Sequence, residues 1–538
     1  MTMKFSYQMI KLFLCYIAIG MNITGCSKNE NSADNDKGIE RPSDDLDHTP
    51  NQSPFANMIG VNGFDWEYFT DQTADFDNRK FELIKTFTGF RQYLDWDRIE
   101  EKEGYYRFAY DEIYQKNKEN GITTLTCLQI IPKWFRQKYY ADEYNPNDPY
   151  GSLRDYTPIP KGADKLDPAS YVAMAKLGFQ TAARYGRNKN IDRSLLKAVT
   201  WGDRPDIKIG LGSLEYIECS NEPDKDWKGP EAQQTPEEYA AQLSAFYDGH
   251  MGTLGNDVGV KQADPSMKVV MAGIAFPDPD WVARMIAWCK KNRVKDGHYT
   301  LCFDVINYHE YSSKRQGEYW YNPDLKNNHG MAPELSGVGK VAQHFVELAN
   351  EQPEDLEVWV TECGFDVNER SIQRALPIKE KSIEDTQADW ILRTALLYSR
   401  YGIDRVFFYM LNDVNINSDT QYDSSGLLAN GRRRPAADYL LQTRKLLGNY
   451  HYTRTINNDP LIDMYTAEDG KKTIYVLTIP DQQGREENYT MDLGNTVQNV
   501  NIYTLKKGAD TMNLETQPVM DGKISVRVGE TPIFVEAL

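Results

Sequence analysis

Two glutamates stand where apolar runs stop. Leu214-Glu215-Tyr216-Ile217-Glu218-Cys219-Ser220 ends in Asn221-Glu222-Pro223, and Leu356-Glu357-Val358-Trp359-Val360-Thr361 ends in Glu362-Cys363-Gly364. A carboxyl group can give or take a proton near neutrality and, when ionised, can attack an electron-poor carbon. Two carboxyls facing each other across one opening are what cleavage of a glycosidic bond requires. One protonates the departing oxygen, while the other attacks the anomeric carbon or activates water. Asn221, beside the first, can hydrogen-bond a sugar hydroxyl, and Gly364, after the second, lets the backbone turn without crowding the ring.

For the two glutamates to meet, their runs must be strands of one sheet ending on the same side. From Met58 onward, short β-branched runs alternate with amphipathic stretches, the pattern of a parallel sheet with crossover helices. Eight strands are expected: Met58–Phe64, Gly89–Leu94, Ile122–Ile130, Leu214–Cys219, Lys268–Gly273, Cys302–Tyr308, Leu356–Glu362 and Arg405–Leu411. Helices are expected near 78–88, 111–120, 167–186, 235–250, 279–293, 338–350, 384–401 and 435–447. Thr235-Pro236-Glu237-Glu238 offers a capping hydroxyl, a first-turn proline and a glutamate three residues on, and Asp167-Pro168 repeats the first two signals. Eight such cycles predict a (β/α)8 TIM barrel over 54–449, with reacting groups at the C-terminal ends of its strands. An open doubly wound sheet is disfavoured, since no GxGxxG follows the first strand. Beyond Tyr450 the period becomes two, as in Lys472–Thr478, Val500–Leu505 and Ile524–Val528, predicting a small C-terminal antiparallel β-sandwich over 450–538.

Glu222 after the fourth expected strand and Glu362 after the seventh resemble the pattern of clan A retaining glycoside hydrolases, over roughly residues 55–448. Phe90-Arg91-Gln92-Tyr93-Leu94-Asp95-Trp96, Pro132-Lys133-Trp134 and Tyr308-His309-Glu310-Tyr311 look like its family 39-like members. That resemblance implies Glu222 as acid/base, Glu362 as nucleophile, Arg91 as support for the nucleophile, and Trp134, His309 and Tyr311 in sugar-binding loops. Strand eight ends in Phe408-Tyr409-Met410, with Tyr409 where many relatives carry tryptophan. Independently of the likeness, a cation such as Arg91 within about 4–6 Å holds a carboxylate ionised. His309 has no partner at metal-ligand spacing in the chain and suits a hydrogen bond to sugar or to Glu362. Trp227 and Trp320 are further stacking candidates, the latter within Glu318-Tyr319-Trp320-Tyr321. This reading calls for no metal and no organic cofactor. The competing class is a non-catalytic glycan-binding lipoprotein with the same barrel and aromatic cleft; a phosphate-dependent barrel enzyme would need a Gly-rich loop near strands seven and eight.

Composition agrees with a carbohydrate partner rather than nucleic acid. Of 538 residues, 79 are Asp or Glu against 61 Lys or Arg, a net charge of −18 that leaves no basic footprint, while 34 Tyr, 20 Phe and 10 Trp supply rings. At the start, Lys4 and Lys11 precede the apolar run Leu12–Ile19, and Ile23-Thr24-Gly25-Cys26 resembles a bacterial lipobox. The expectation is a signal peptide over 1–25, lipidation at Cys26 and an acidic flexible tether over 26–53. Membrane contact would then run through that lipid alone, in the cell envelope at the outer membrane. Cys127, Cys219, Cys289, Cys302 and Cys363 remain, and without any CxxC they read as small buried hydrophobes rather than a disulfide framework.

Overall fold

Eight short parallel strands close on one another in the computed structural model, which describes residues 48–71, 75–148, 150–314 and 328–538. They are β1 (Gly60–Gly63), β2 (Gly89–Asp95), β3 (Thr123–Gln129), β4 (Tyr216–Cys219), β5 (Lys268–Met271), β6 (Val305–His309), β7 (Glu357–Cys363) and β8 (Arg405–Phe408). Around the barrel the order is β1-β8-β7-β6-β5-β4-β3-β2. The crossover helices are α1 (Asn78–Ile84), α2 (Asp111–Glu119), α3 (Val172–Tyr185), α4 (Pro236–Gly252), α5 (Pro279–Asn292), α6 (Val338–Asn350), α7 (Ile383–Arg400) and α8 (Pro435–Leu447). This is the expected (β/α)8 barrel. Cys26 and the leader, and Trp320 with its neighbours Glu318, Tyr319 and Tyr321, lie outside the described residues.

Local signals explain the helix starts. Thr235 Oγ1 accepts from the Glu238 amide at 3.3 Å while Glu238 Oε2 accepts from the Thr235 amide at 2.8 Å, so α4 opens on a reciprocal cap. Asp167 accepts from the Ala169 amide, and a 3-10 turn over Pro168–Tyr171 leads into α3.

The period of two along each strand stacks the barrel interior in layers. Leu125, Tyr216, Val270, Val305, Trp359 and Phe407, one from each of six strands, form an apolar layer of their own. Two residues further on, Glu218, Asn307 and Thr361 face the same interior and form a polar layer. Thr361 Oγ1 donates to Asn307 Oδ1 at 2.8 Å, and Asn307 Nδ2 donates to Glu218 Oε1 at 3.1 Å. β1 and β2 come close to β8 because Gly60 and Gly89 lack side chains; a Cβ on Gly60 would lie 2.6 Å from Phe407 Cδ1.

After α8 the chain forms β9 (Tyr450–Asn458), β10 (Leu461–Ala467), β11 (Thr473–Thr478), β12 (Glu487–Asp492), β13 (Asn499–Thr504), β14 (Asn513–Pro518), β15 (Lys523–Val528) and β16 (Ile533–Ala537). Six of them make an antiparallel sheet, β9-β10-β11-β16-β13-β14, and β12 pairs with β15 as a second layer. Ile462, Leu477, Met491, Val500, Ile524, Val526 and Val535 fill the space between. The period-two reading is visible in β15, where Ile524, Ser525, Val526, Arg527 and Val528 alternate buried and exposed.

The tether expected through residue 53 ends sooner. Asn51 is buried, its Nδ2 donating to the carbonyls of Ser399 and Ile403 at 2.9 Å, and Ser53 Oγ donates to Asp404. An amide satisfying otherwise open carbonyls at the end of α7 ties this segment to the barrel.

Candidate active site

β4 and β7 deliver their glutamates differently. Past Cys219 the backbone enters the left-handed region twice, at Ser220 (φ 71°) and Glu222 (φ 48°), conformations that disfavour side-chain-bearing residues and concentrate at functional sites. The turn is held from β5: the Glu222 amide donates to the Gly273 carbonyl at 3.1 Å. Asp224 accepts from the amides of Ala275 and Phe276 at 2.9 and 2.8 Å. In β7 the register against β6 slips between Tyr308 and His309, so that His309 faces Glu362, and a second slip opposes β8. This bulge turns Glu362 into the mouth although Thr361, its neighbour, faces the interior.

A carboxylate oxygen of Glu222, one of Glu362 and a ring nitrogen of His309 lie within 4.8 Å of one another. Glu362 is buried and surrounded by donors. Its Oε1 accepts from Arg91 Nη1 at 2.9 Å and from Tyr93 Oη at 2.6 Å, and its Oε2 accepts from Tyr311 Oη at 3.1 Å. Burial pushes this carboxyl up, but the charges of His309 and Arg91 and the hydrogen bonds from Tyr93 and Arg91 outweigh it, leaving Glu362 below the usual range and ionised. Glu222 is half-exposed and meets one ring nitrogen, His309 Nδ1, at 2.9 Å. Burial opposes charge on His309, yet Glu362 and the hydrogen bond to Glu222 raise it above its ordinary value.

Beneath the pair, Arg91 has no exposed surface and spends every donor. Nε and Nη2 grip Glu218 at 2.7 and 2.9 Å, Nη2 also reaches Asn221 Oδ1 at 2.7 Å, and Nη1 reaches Asn62 Oδ1, Tyr93 Oη and Glu362. Arg91, a candidate both for supporting the nucleophile and for binding substrate, is a fully covered guanidinium that contacts Glu362 and Asn221 and does not line the cleft, which corrects the substrate-binding half of that expectation. Glu222, His309 and Glu362 could together offer three ligand atoms to a cation. Such an ion would sit beside the Arg91 guanidinium, 2.9 Å from Glu362, which already supplies the positive charge there.

The site opens into a cleft of about 2080 Å³. Asn221, Trp227, His309, Tyr311 and Tyr409, all expected at the site, line it. Trp134 does not. Helix begins at Lys133, directly after Pro132, and the indole packs edge-on to Trp96 at 6.0 Å, which corrects its expected sugar contact. Other rings line the cleft: Phe64 and Trp66, stacked at 4.1 Å, Phe276, edge-on to Trp227, and Tyr422, 4.4 Å from Tyr311.

Sequence reasoning missed Tyr93, Glu218, Asn62 and Tyr422. The first was accessible, since Tyr93 follows Arg91 by two and so shares its face of β2. Glu218 stands in the same relation to Ser220 and the turn beyond it. Tyr422 comes from the long loop after β8 and carries no local signal. Glu67, also missed, lines the cleft with its carboxyl pushed up to about 7 by burial, against hydrogen bonds from the Phe64 amide and Asn412 Nδ2.

No known family's sequence profile matches the chain, and no curated protein does. Solved structures do match in fold. A family 39 glycoside hydrolase from the gut symbiont Bacteroides cellulosilyticus WH2 aligns with TM-score 0.58 and 17% identity over 90% of this chain and 81% of that one. A family 30 subfamily 8 xylanase from Clostridium acetobutylicum aligns with TM-score 0.52 and 13% identity over 91% and 97%. A GH51 arabinofuranosidase from Xanthomonas axonopodis pv. citri gives 0.52 and 11% over 91% and 98%. The likeness is one of architecture, an eight-stranded parallel barrel with added antiparallel sheets.

Proposed function

We propose that the chain is a retaining glycoside hydrolase acting on an oligosaccharide or polysaccharide with β linkages, with Glu362 as nucleophile and Glu222 as acid/base. The observation that carries this is the pair itself: carboxylate oxygens within 4.8 Å, on one cleft, in unlike surroundings. An oxygen-to-oxygen separation within 4.8 Å is nearer the ~5–5.5 Å of double displacement than the ~6.5–9.5 Å that an inverting pair keeps open for water, which supports the retaining reading. Glu362, ionised among Arg91, Tyr93 and Tyr311, attacks the anomeric carbon while Glu222 protonates the departing oxygen. The glycosyl ester removes the negative charge from beside Glu222, which then accepts a proton from the water that attacks the ester. A cleft larger than the ~300–1,000 Å³ of small-molecule sites, lined with rings, fits a substrate of several sugars.

The test is chemical rescue on an aryl β-glycoside. Glu362→Gln should abolish turnover whatever the leaving group. Glu222→Ala should still form the glycosyl-enzyme from an activated aryl glycoside, stall at hydrolysis, and regain turnover with azide, releasing a β-glycosyl azide. A β-glycosyl azide of retained configuration from the Glu362 variant, with an inverted azide from the Glu222 variant, would reverse the roles; wild-type protein that binds glycans without cleaving them would favour the non-catalytic reading.

We also propose anchoring through lipid on Cys26, supported by Ile23-Thr24-Gly25-Cys26 and the acidic segment that follows. A fatty-acid probe fed to expressing cells should label the wild type and leave Cys26→Ser unlabelled. An unlabelled wild type removes the claim.

A further inference from the structure

Cys289, in the last turn of α5, and Cys302, just before β6, have sulfurs 3.4 Å apart, and neither side chain is exposed. Their approach is set by other contacts. Arg293, one turn beyond Cys289, binds Asp248 of α4 through Nη1 and Nη2 at 2.9 and 2.8 Å and donates Nε to the Thr300 carbonyl at 3.2 Å. Between them, Val294–Lys295 pairs with His298–Tyr299 across a turn in which Asp296 and Gly297 both take positive φ, and the Thr300 amide returns to the Arg293 carbonyl at 3.1 Å. The hairpin and the ion pair thus carry Cys302 back to Cys289 without any bond between the sulfurs. The other three buried cysteines face Arg91, Gln242 and the Phe407 carbonyl instead.

We propose that Cys289 and Cys302 close into a disulfide when the chain folds in the presence of an external disulfide. An S–S bond is about 2.05 Å long, so about 1.4 Å of approach remains. The Cys289 thiolate attacks the external disulfide, displacing one thiolate and leaving a mixed disulfide; the Cys302 thiolate attacks that bond at the Cys289 sulfur and displaces the second. Two protein thiols are oxidised by two electrons, the external disulfide is reduced to two thiols, and the two protons pass to them. Because both sulfurs are covered in the folded chain, the exchange belongs to the stage before α5 docks. The loop precedes β6 and so lies on the barrel face opposite the reacting groups, and the bond acts on stability rather than on the cleft.

Oxidative refolding decides this. Full-length protein refolded with oxidised and reduced glutathione, alkylated and digested without reduction should yield one linked peptide pair holding Cys289 and Cys302, lighter by two hydrogens than the separate peptides. Its thermal midpoint should exceed that of protein refolded in dithiothreitol by about 3 °C. The difference should vanish in the Cys289→Ala, Cys302→Ala double variant. Recovery of both cysteines as separately alkylated peptides after oxidative refolding overturns the proposal, and needs no variant to fold.

Discussion

At the scale of single residues, the two carboxyls differ because one is saturated with donors and the other is not. Tyr93 makes the shortest of the contacts to Glu362, 2.6 Å to Oε1, and is one of the groups that hold its carboxyl low. Tyr93→Phe removes a hydrogen bond to a charged group, worth about 1.5–3 kcal/mol, so kcat/KM should fall by roughly 10- to 100-fold. Losing a group that favours the ionised form raises the carboxyl's pKa, so the acid limb of the pH profile should also move to higher pH. An unmoved acid limb would mean that Glu362 is not the group titrating there. The same depressed value contributes stability above about pH 4.5, which is lost as pH falls through the folded value.

At the scale of elements, the ends of β4, β5 and β6 are interlocked around one glycine. Gly273 follows β5, donates its amide to Glu218 Oε1 at 3.2 Å, accepts from the Glu222 amide, and lies against the His309 ring. A Cβ there would lie 2.1 Å from His309 Nε2, a distance no contact tolerates. His309 is buried and bonded at both ring nitrogens, so the ring cannot yield without leaving Glu222 or Thr361. Gly273→Ala should therefore cut kcat by tenfold or more while the protein still folds, as read by turnover beside a thermal melt. Unchanged turnover would show that the contact between His309 and Glu222 contributes nothing to the reaction. The bulge in β7 is the companion device, since without its extra residue Glu362 would follow the strand period away from His309.

At the scale of the whole molecule, the sandwich is part of the barrel's wall. Tyr452, Tyr465, Ile474, Val476 and Phe534 belong to the same apolar cluster as the barrel helices. Arg400 of α7 meets Asp463 of β10 at 3.0 Å, both buried, and Arg393 donates to the Asp481 carbonyl at 2.9 Å. A chain ending at residue 449 would expose that face of α7 to water and strip a buried cation of an anionic partner. Residues 48–449 alone should aggregate or melt well below the intact chain, which should itself melt in one transition. A truncated barrel with unaltered melting temperature and turnover would show that the two units are independent.

Periodicity and punctuation are local properties, and they were enough to locate all eight barrel strands, all eight crossover helices, the change to a period of two after Tyr450, and the strand ends bearing Glu222 and Glu362. Barrel geometry then puts every strand end on one face, which is why these two residues could be paired from 140 positions apart. What a side chain meets there is another matter. Trp134 and Trp227 stand in similar loop sequences, yet one packs inside a helix against Trp96 and the other faces the cleft. Arg91 reads as a cation beside the nucleophile, but its closure over Glu218 and Asn62, which takes it out of the cleft, is seen only in the fold. Tyr422 enters from a loop with no period to betray it, and the contact between Cys289 and Cys302 depends on a hairpin and an ion pair between separate helices. Backbone pattern follows from neighbours in the chain; exposure, hydrogen-bond partners and charge state follow from neighbours in space, and those are set only when the strands close.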